Sequence, residues 1–361
     1  METISFARGI PAPECLPVGE LAECAKAALE RDGSVALSYG STLGYGPLRE
    51  WLAERHGVEP ARVLVTNGSL QAFHFVLDAL GGDGRRVLVE RPTYDRPRKI
   101  LAAAGIELAE IPVDAGGLDV EAAERALEDT PAAFLYTIPT FQNPTGATLG
   151  EARRNRLAEL SRSRRLPVLE DDPYGLVRFE GEPLPSVFEL EGGVNVMYSS
   201  SFSKTIAPGL RVGYAIVPEA LASELEDLVA STYITPALLS QATVFEFLRR
   251  GLFEPNLERV RGLLRARRDA MLEALERDLT GRARWNRPEG GYFLWLELPE
   301  GVDASELLGR AREGGVTFVP GADFGGSPAS ARLAFSFVSP AEVDEGVQRL
   351  ARLLAAAPAA V

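Results

Sequence analysis

The sequence predicts an α/β protein: a large domain whose mainly parallel seven-stranded sheet lies between helices, joined to a smaller α+β domain. Three observations carry this reading. Seven short β-rich runs occur between Arg62 and Val217, several of them apolar on both faces as in a sheet covered by helices. Helical patterns fall between many of these runs, and the pattern changes beyond about Gly251.

In chain order, an extended, proline-rich start, ISFARGIPAPECLP from Ile4, precedes a helix containing Cys24 and Lys26. The strands follow: RVLVT from Arg62, RVLVE from Arg86, IELAEI from Ile106, AAFLYTI from Ala132, PVLED from Pro167, VNVMYS from Val194 and VGYAIV from Val212. Helical stretches between them include SLQAFHFVLDAL from Ser69, DVEAAERALED from Asp119 and EARRNRLAELSRSRR from Glu151. Past Gly251 a long amphipathic segment places Leu257, Val260, Leu264, Met271, Leu275 and Leu279 near one face. GYFLWLEL from Gly291, VTFV from Val316 and RLAFSF from Arg332 then read as strands alternating with helices near Ala304 and Ala341. The AAAPAAV tail is expected to fray.

Composition narrows the function. The 361 residues are 46% hydrophobic, enough for a sizeable core, and no apolar run approaches the length of a membrane span. A net charge of −13 opposes binding to nucleic acid or an anionic membrane, which leaves small molecules or another copy of the chain as partners. Two histidines, His56 and His74, and two cysteines, Cys15 and Cys24, are too few for a zinc cage, so no metal is expected. With no signal peptide and no disulfide framework, the chain suits a reducing cytoplasm, its cysteines serving as packing residues.

Of the 38 basic residues only Lys26, Lys99 and Lys204 are lysines, leaving 35 arginines. Lys26, in ELAECAKAALERDG, and Lys99, in DRPRKIL, read as solvated helix residues. Lys204 follows the strand VNVMYS, at the carboxyl end where α/β folds place ligands. Alone it reads as a loop residue. Its neighbours change that, because Ser201, Ser203 and Arg211 offer hydroxyls and a cationic fork suited to a phosphate dianion. Arg211 and desolvation would both depress the lysine pKa and make its amine nucleophilic.

On SFSKTIAPGLR the sequence resembles the aminotransferase class I and II family, pyridoxal-phosphate enzymes of fold type I, and most closely the branch of 2-aminoadipate and kynurenine aminotransferases. The likeness runs from Ile4 to the C-terminal helix, with the motifs in the expected order. It implies that Lys204 forms the Schiff base with pyridoxal 5'-phosphate. It further implies that Tyr39, in LSYGSTLGYGPLRE, reaches the cofactor phosphate of the neighbouring subunit, making a homodimer with shared active sites. In VTNGSLQAF, Ser69 and the amide of Leu70 would cradle the phosphate at a helix N-terminus, although locally Ser69 reads equally as an N-cap. Tyr94 of RPTYDR would stack on the pyridine ring. Asn143 of FQNPTG, by itself a turn signal, would hydrogen-bond the ring oxygen alongside Tyr174 of EDDPYG. Asp171 would stay ionised beside the pyridine nitrogen, and Arg332 would grip the substrate α-carboxylate. Glu170, Asp171 and Asp172 read alternatively as a magnesium cluster, disfavoured because no P-loop accompanies them.

The implied domains are an N-terminal segment over 1–30 that joins the small domain as an active-site lid, a large cofactor-binding domain over 31–250 and a small one over 251–361. Relatives of the 2-aminoadipate branch carry roughly thirty further residues before an ISFAGG-like motif, which help close the site. Here the motif begins at Ile4 and the glycine pair reads Arg8-Gly9. Gly9 and Ile10 are expected to line the pocket, with Arg8 replacing the missing carboxylate partner or, equally, the site preferring apolar or aromatic amino acids. The implied function is transfer of an amino group from an L-amino acid to a 2-oxo acid such as 2-oxoglutarate, by a ping-pong mechanism through a Lys204 aldimine. The same residues could support a β-lyase, decarboxylase, cyclase or oxidase. An effector-sensing regulator domain is less expected, because such proteins carry an N-terminal DNA-binding domain and this acidic chain starts at the aminotransferase motif.

Overall fold

A computed structural model describes residues 2–82 and 85–355. All seven expected runs form strands of one sheet, in the order Val63–Thr66, Gly213–Ile216, Val196–Ser201, Val168–Asp171, Ala132–Thr137, Arg86–Arg91 and Glu107–Asp114. An eighth strand at the edge, Gly117–Leu118, folds back on Glu107–Asp114. Two residues are too short to give a periodic signal, which is why the sequence does not reveal it. The sheet is parallel across Val196–Ser201, Val168–Asp171, Ala132–Thr137, Arg86–Arg91 and Glu107–Asp114. Gly213–Ile216 runs antiparallel to both of its neighbours.

The continuous apolar runs have the cause expected of them. Every residue of Val63–Thr66, Val168–Asp171, Val196–Ser201 and Gly213–Ile216 is buried, because helices cover both faces. The helix signals also hold. Asp119 caps helix Val120–Asp129 by accepting from the amide of Ala122, a contact worth about 1 kcal/mol.

The expected face of the long helix Phe253–Leu279 is buried throughout. Its first turns, Phe253 and Leu257, pack into the core around the large sheet, whereas Val260 onward packs into a second core with Leu294, Leu296, Leu333 and Val347. One helix thus ties both cores together. The second core lies on the sheet Arg284–Trp285, Phe293–Glu297, Ser330–Ala334 and Val319–Pro320. VTFV is not one strand: Val316–Thr317 pairs with Ile4–Ser5 and Val319–Pro320 with Ser330–Ala334, the chain changing partners at the buried Phe318. The start of the chain therefore joins the second core through Ile4, Phe6 and Cys15, while Cys24, Ala28 and Ala36 of helix Val18–Ala36 join the first. Both cysteines are buried and unpaired. Among the described residues, no helix is long and apolar enough to cross a membrane. The tail expected to fray lies, from residue 356 on, outside the described residues.

Candidate active site

The carboxyl ends of the parallel strands open into a cavity of about 420 Å³ that also takes residues from the chain start and the second core. Its lining contains Gly9, Ile10, Ser69, Leu70, Tyr94, Asn143, Asp171, Tyr174, Ser201, Ser203, Lys204, Arg211 and Arg332. Segments more than 300 positions apart thus meet at one place. Tyr39 is the exception. It is 82% exposed and does not line this cavity.

Lys204 follows strand Val196–Ser201 and points into the cavity, where its Nζ donates to the carbonyl of Gly9 at 2.9 Å. Its ammonium lies 5.2 Å from the ring centre of Tyr292 and 5.7 Å from that of Tyr174. Tyr292 donates its hydroxyl to the Lys204 carbonyl at 3.0 Å, fixing the backbone beneath the amine. Burial, then the charges of Arg332 and Arg211, push the amine down to about 8. The expected help from Arg211 is present, but desolvation and Arg332 contribute more.

Asp171 ends strand Val168–Asp171 and is buried. Its Oδ2 accepts from the Tyr136 hydroxyl at 2.9 Å, whereas its Oδ1 has no hydrogen-bond partner among the described residues. Burial pushes the carboxyl up to about 7, against the pull of Tyr136 and, less strongly, of Ser69. The carboxylate expected to be ionised therefore meets an environment that opposes ionisation until a cation is set against it. Glu170 and Asp172 go elsewhere, since neighbouring strand residues face opposite sides. Glu170 accepts from the amide of Phe188 at 2.8 Å, and Asp172 from the hydroxyl of Tyr198 at 3.0 Å. The three acids do not converge, and no metal-holding cluster of His, Cys, Asp or Glu occurs among the described residues.

Gly68 caps helix Ser69–Leu80 with a φ of 87°, in the region that favours glycine. A Cβ there would come within 2.7 Å of the Arg211 guanidinium, which donates to the carbonyl of Asn67 at 2.6 Å. Ser69 is the first helical residue and makes no capping hydrogen bond, so the N-cap reading fails and its hydroxyl faces the cavity. Ser201 and Ser203 join their hydroxyls at 2.7 Å, and Ser201 Oγ accepts from the Ser203 amide at 2.9 Å. With Arg211 and the Leu70 turn, these groups line one wall of the cavity and could hold an anion.

Arg332 lies between Phe293 and Phe324, its guanidinium 4.2 Å and 4.8 Å from their ring centres. It donates to Asn143 Oδ1 at 2.8 Å and to the Ala7 carbonyl at 3.1 Å, while its Nε is buried without a partner among the described residues. Burial lowers it to about 10. The Asn143 turn is itself tied down. Gln142 donates to Glu90 at 2.9 Å and accepts from the Thr145 amide, also at 2.9 Å; Asn286 donates to the Thr145 carbonyl at 2.7 Å and accepts from the Trp295 amide at 2.7 Å. Arg8 does not take the place expected of it. It lies over Phe337, 4.9 Å from the ring centre, away from the cavity lining.

The sequence did not single out Tyr136, Tyr292, Phe293, Asp95 or Arg96, all of which line the cavity or touch its residues. Tyr136 and Tyr292 read as core aromatics in strands, and only the register of the folded sheets reveals their contacts. Arg96 lies within the quoted RPTYDR motif, and its position two residues after Tyr94 was the available signal.

An amine with a lowered pKa, an under-satisfied carboxyl across from it and an anion cradle at a helix start define the class of pyridoxal-phosphate enzymes of fold type I. The comparisons give the family. The sequence pattern described as Aminotransferase class I and II matches residues 15–350, and the chain belongs to that family. Among its relatives, the 2-aminoadipate transaminase of Thermus thermophilus is 42% identical over 358 residues, covering 97% of this chain and 90% of the relative. The crystal structure of LysN, an α-aminoadipate aminotransferase from Thermus thermophilus complexed with N-(5'-phosphopyridoxyl)-L-leucine, has a TM-score of 0.93 at 40% identity, over 98% of this chain and 92% of that one. The kynurenine aminotransferase of Pyrococcus horikoshii has a TM-score of 0.94 at 34% identity, over 98% of this chain and 91% of that one. The chain is a pyridoxal-phosphate-dependent aminotransferase.

Proposed function

We propose that this cavity transfers the amino group of an L-amino acid to a 2-oxo acid, 2-oxoglutarate serving as acceptor, in two half-reactions that share one site. The observation that carries the reading is the pairing of Lys204, its amine lowered to about 8, with Asp171, whose Oδ1 is buried without a partner among the described residues. The residues fit pyridoxal phosphate. Asp171 would hold the protonated ring nitrogen, an interaction that supplies its missing partner and restores its charge. Ser69, Leu70, Ser201, Ser203 and Arg211 would hold the phosphate, Tyr94 would stack on the ring, and Asn143 with Tyr174 would donate to its oxygen. When bound, the cofactor supplies the electron-withdrawing ring that makes the substrate α-hydrogen acidic.

The chain's own groups do the rest. Arg332 takes the substrate α-carboxylate, its fork oriented by Asn143 and Ala7 and its place fixed by two phenyl rings. The Lys204 amine removes the proton from the substrate α-carbon and returns it nearby, acting as base and then acid with a pKa close to neutrality. Tyr292 and the Gly9 carbonyl keep that amine in the cavity. Because donor and acceptor are bound in turn by the same Arg332, ping-pong kinetics are expected.

Shared sites in a homodimer are part of the proposal. Tyr39 is exposed beside Leu37, 72% exposed, and Val35, 50% exposed, an arrangement that supports contact with a second copy. Mixing inactive Lys204→Ala protein with an inactive Tyr39 variant should then restore part of the activity, since one site of each mixed dimer is intact. The proposed closing units are the large domain over 31–250, the small one over 251–361 and a lid at the start of the 1–30 segment, where Ile4–Ser5 pairs with Val316–Thr317; the rest of that segment does not belong to the lid, because Cys24 and Ala28 of helix Val18–Ala36 pack into the core of the large domain. A cytoplasmic setting is supported by two buried, unpaired cysteines. A panel of amino acids assayed with and without 2-oxoglutarate tests the reading: oxo acid limited to about one equivalent per site without acceptor and formed over many turnovers with it supports the reading, and many turnovers without acceptor contradict it.

A further inference from the structure

We propose that Arg96 is a specificity-determining residue that receives the side-chain carboxylate of a dicarboxylic substrate. The inference rests on the aminotransferase reading of the cavity and assigns a role to a cation which that reading leaves unused. Four cations line the cavity: Lys204, Arg211, Arg332 and Arg96. The first is the reactive amine, the second serves the phosphate cradle, and the third is aimed by Asn143 and Ala7 at the α-carboxylate.

Arg96 differs from these in having little to hold it. Its side chain is 58% exposed, and among the described residues the one carboxylate within 4 Å of its guanidinium is Asp95, at 3.9 Å. That same Asp95 oxygen already accepts from Lys99 at 2.6 Å, so its charge is largely answered. Arg96 is also the second residue of helix Asp95–Ala103, where a cation opposes the helix dipole. Helix stability therefore does not explain an arginine there. A ligand does, since an anion drawn between Arg96 and the helix start is favoured by both.

The rest of the cavity supplies the route. A substrate held by Arg332 at its α-carboxylate has Ile10 and Phe293 as apolar wall for its methylenes and Arg96 as the remaining cation of the lining for a second carboxylate. A three-carbon monocarboxylic acid uses Arg332 alone. A five-carbon diacid uses both arginines, whose planar forks match a carboxylate. Because Arg96 is half in solvent, its contribution is that of a screened, charge-assisted contact, about tenfold in affinity.

The test uses the protein with pyridoxal phosphate bound, titrated calorimetrically with glutarate and with butanoate, neither of which can be transaminated. Arg96→Gln is expected to weaken glutarate about tenfold and leave butanoate unchanged, with Arg96→Lys intermediate because it keeps the charge but loses the fork. In turnover, KM for 2-oxoglutarate should rise in the same proportion while KM for pyruvate and both kcat values hold. Equal weakening of the two acids, or no weakening of either, overturns the assignment. Failure of the parent reading looks different: wild-type protein would transfer no amino group between any pair, yet the glutarate and butanoate titrations would still decide the role of Arg96.

Discussion

Asp171 and Glu246 are both buried carboxyl groups, one at the end of a central strand and the other on helix Leu238–Arg249, and their surroundings are opposite. Glu246 has no exposed side-chain surface, yet Arg31 donates to it, Arg249 holds it at 2.8 Å and Arg250 at 2.6 Å. Burial raises its pKa, but the bonds from Arg249 and Arg250 outweigh that and bring it down to about 2. Asp171 has the Tyr136 hydroxyl on one oxygen and no hydrogen-bond partner among the described residues on the other, and burial leaves it at about 7. Folding alone favours the first arrangement, because a buried charge is costly unless paired. The second makes sense where the partner is a ligand. Glu246 fastens helix Val18–Ala36 to helix Leu238–Arg249, while the proposed role of Asp171 is to receive a cationic ring nitrogen.

Substitutions should separate these two kinds of carboxyl and the amine opposite Asp171. The largest effect is expected from Lys204→Ala, which removes the base and should lower kcat by about 10³-fold or more, measured with any active donor and acceptor pair. Asp171→Asn should lower kcat by about 10²- to 10³-fold through loss of the charge that answers the ring nitrogen. Its thermal midpoint without cofactor should be no lower than that of the wild type, because a neutral amide replaces a carboxyl whose ionisation is opposed by burial. Glu246→Ala should do the reverse, costing about 2–3 kcal/mol in chemical denaturation because three guanidinium groups lose their partner, while kcat stays within about twofold. That cost is placed below the usual value for a broken buried pair, since the three arginines can turn to solvent.

The smallest expected effect is in the pH dependence of stability. A carboxyl raised in the folded state stabilises most when neutral, so the Asp171 contribution is full below the ordinary carboxylate range and is lost as pH rises through about 7. A lowered carboxyl works the other way, and the Glu246 contribution is full above its ordinary value and is lost as pH falls towards about 2. Cofactor-free wild type should lose stability relative to Asp171→Asn between about pH 4 and pH 7, whereas Glu246→Ala should lose its disadvantage only in acid. Urea denaturation from about pH 2 to pH 8 checks both.

What the sequence disclosed followed from how local each signal was. The seven strands were legible as short apolar runs, and Lys204, Ser203 and Arg211 as one contiguous motif. Gly117–Leu118 and the split at Phe318 were not, because two-residue strands have no period and their pairing depends on partners far along the chain. The same limit hid the site's supports. Tyr136 lies 35 positions before Asp171, Tyr292 88 after Lys204, and Arg31 215 before Glu246; each contact is a product of sheet register or helix packing. Of the two equal readings for the chain start, a carboxylate partner at Arg8 or a site for apolar or aromatic amino acids, the first does not match the structure, since the Arg8 side chain lies over Phe337 and outside the cavity lining. Ser69 showed the opposite case, in which two readings alike in sequence were separated by a single residue, Gly68 being the cap.

The contrast between the two carboxyls is tested most directly by the shift in thermal midpoint when pyridoxal phosphate is added to cofactor-free protein. At a concentration about a hundred times the dissociation constant, wild type and Glu246→Ala should each gain about 2.7 kcal/mol, seen as several degrees, and Asp171→Asn clearly less. An equal rise in all three would contradict the assignment of Asp171 as the cofactor's partner.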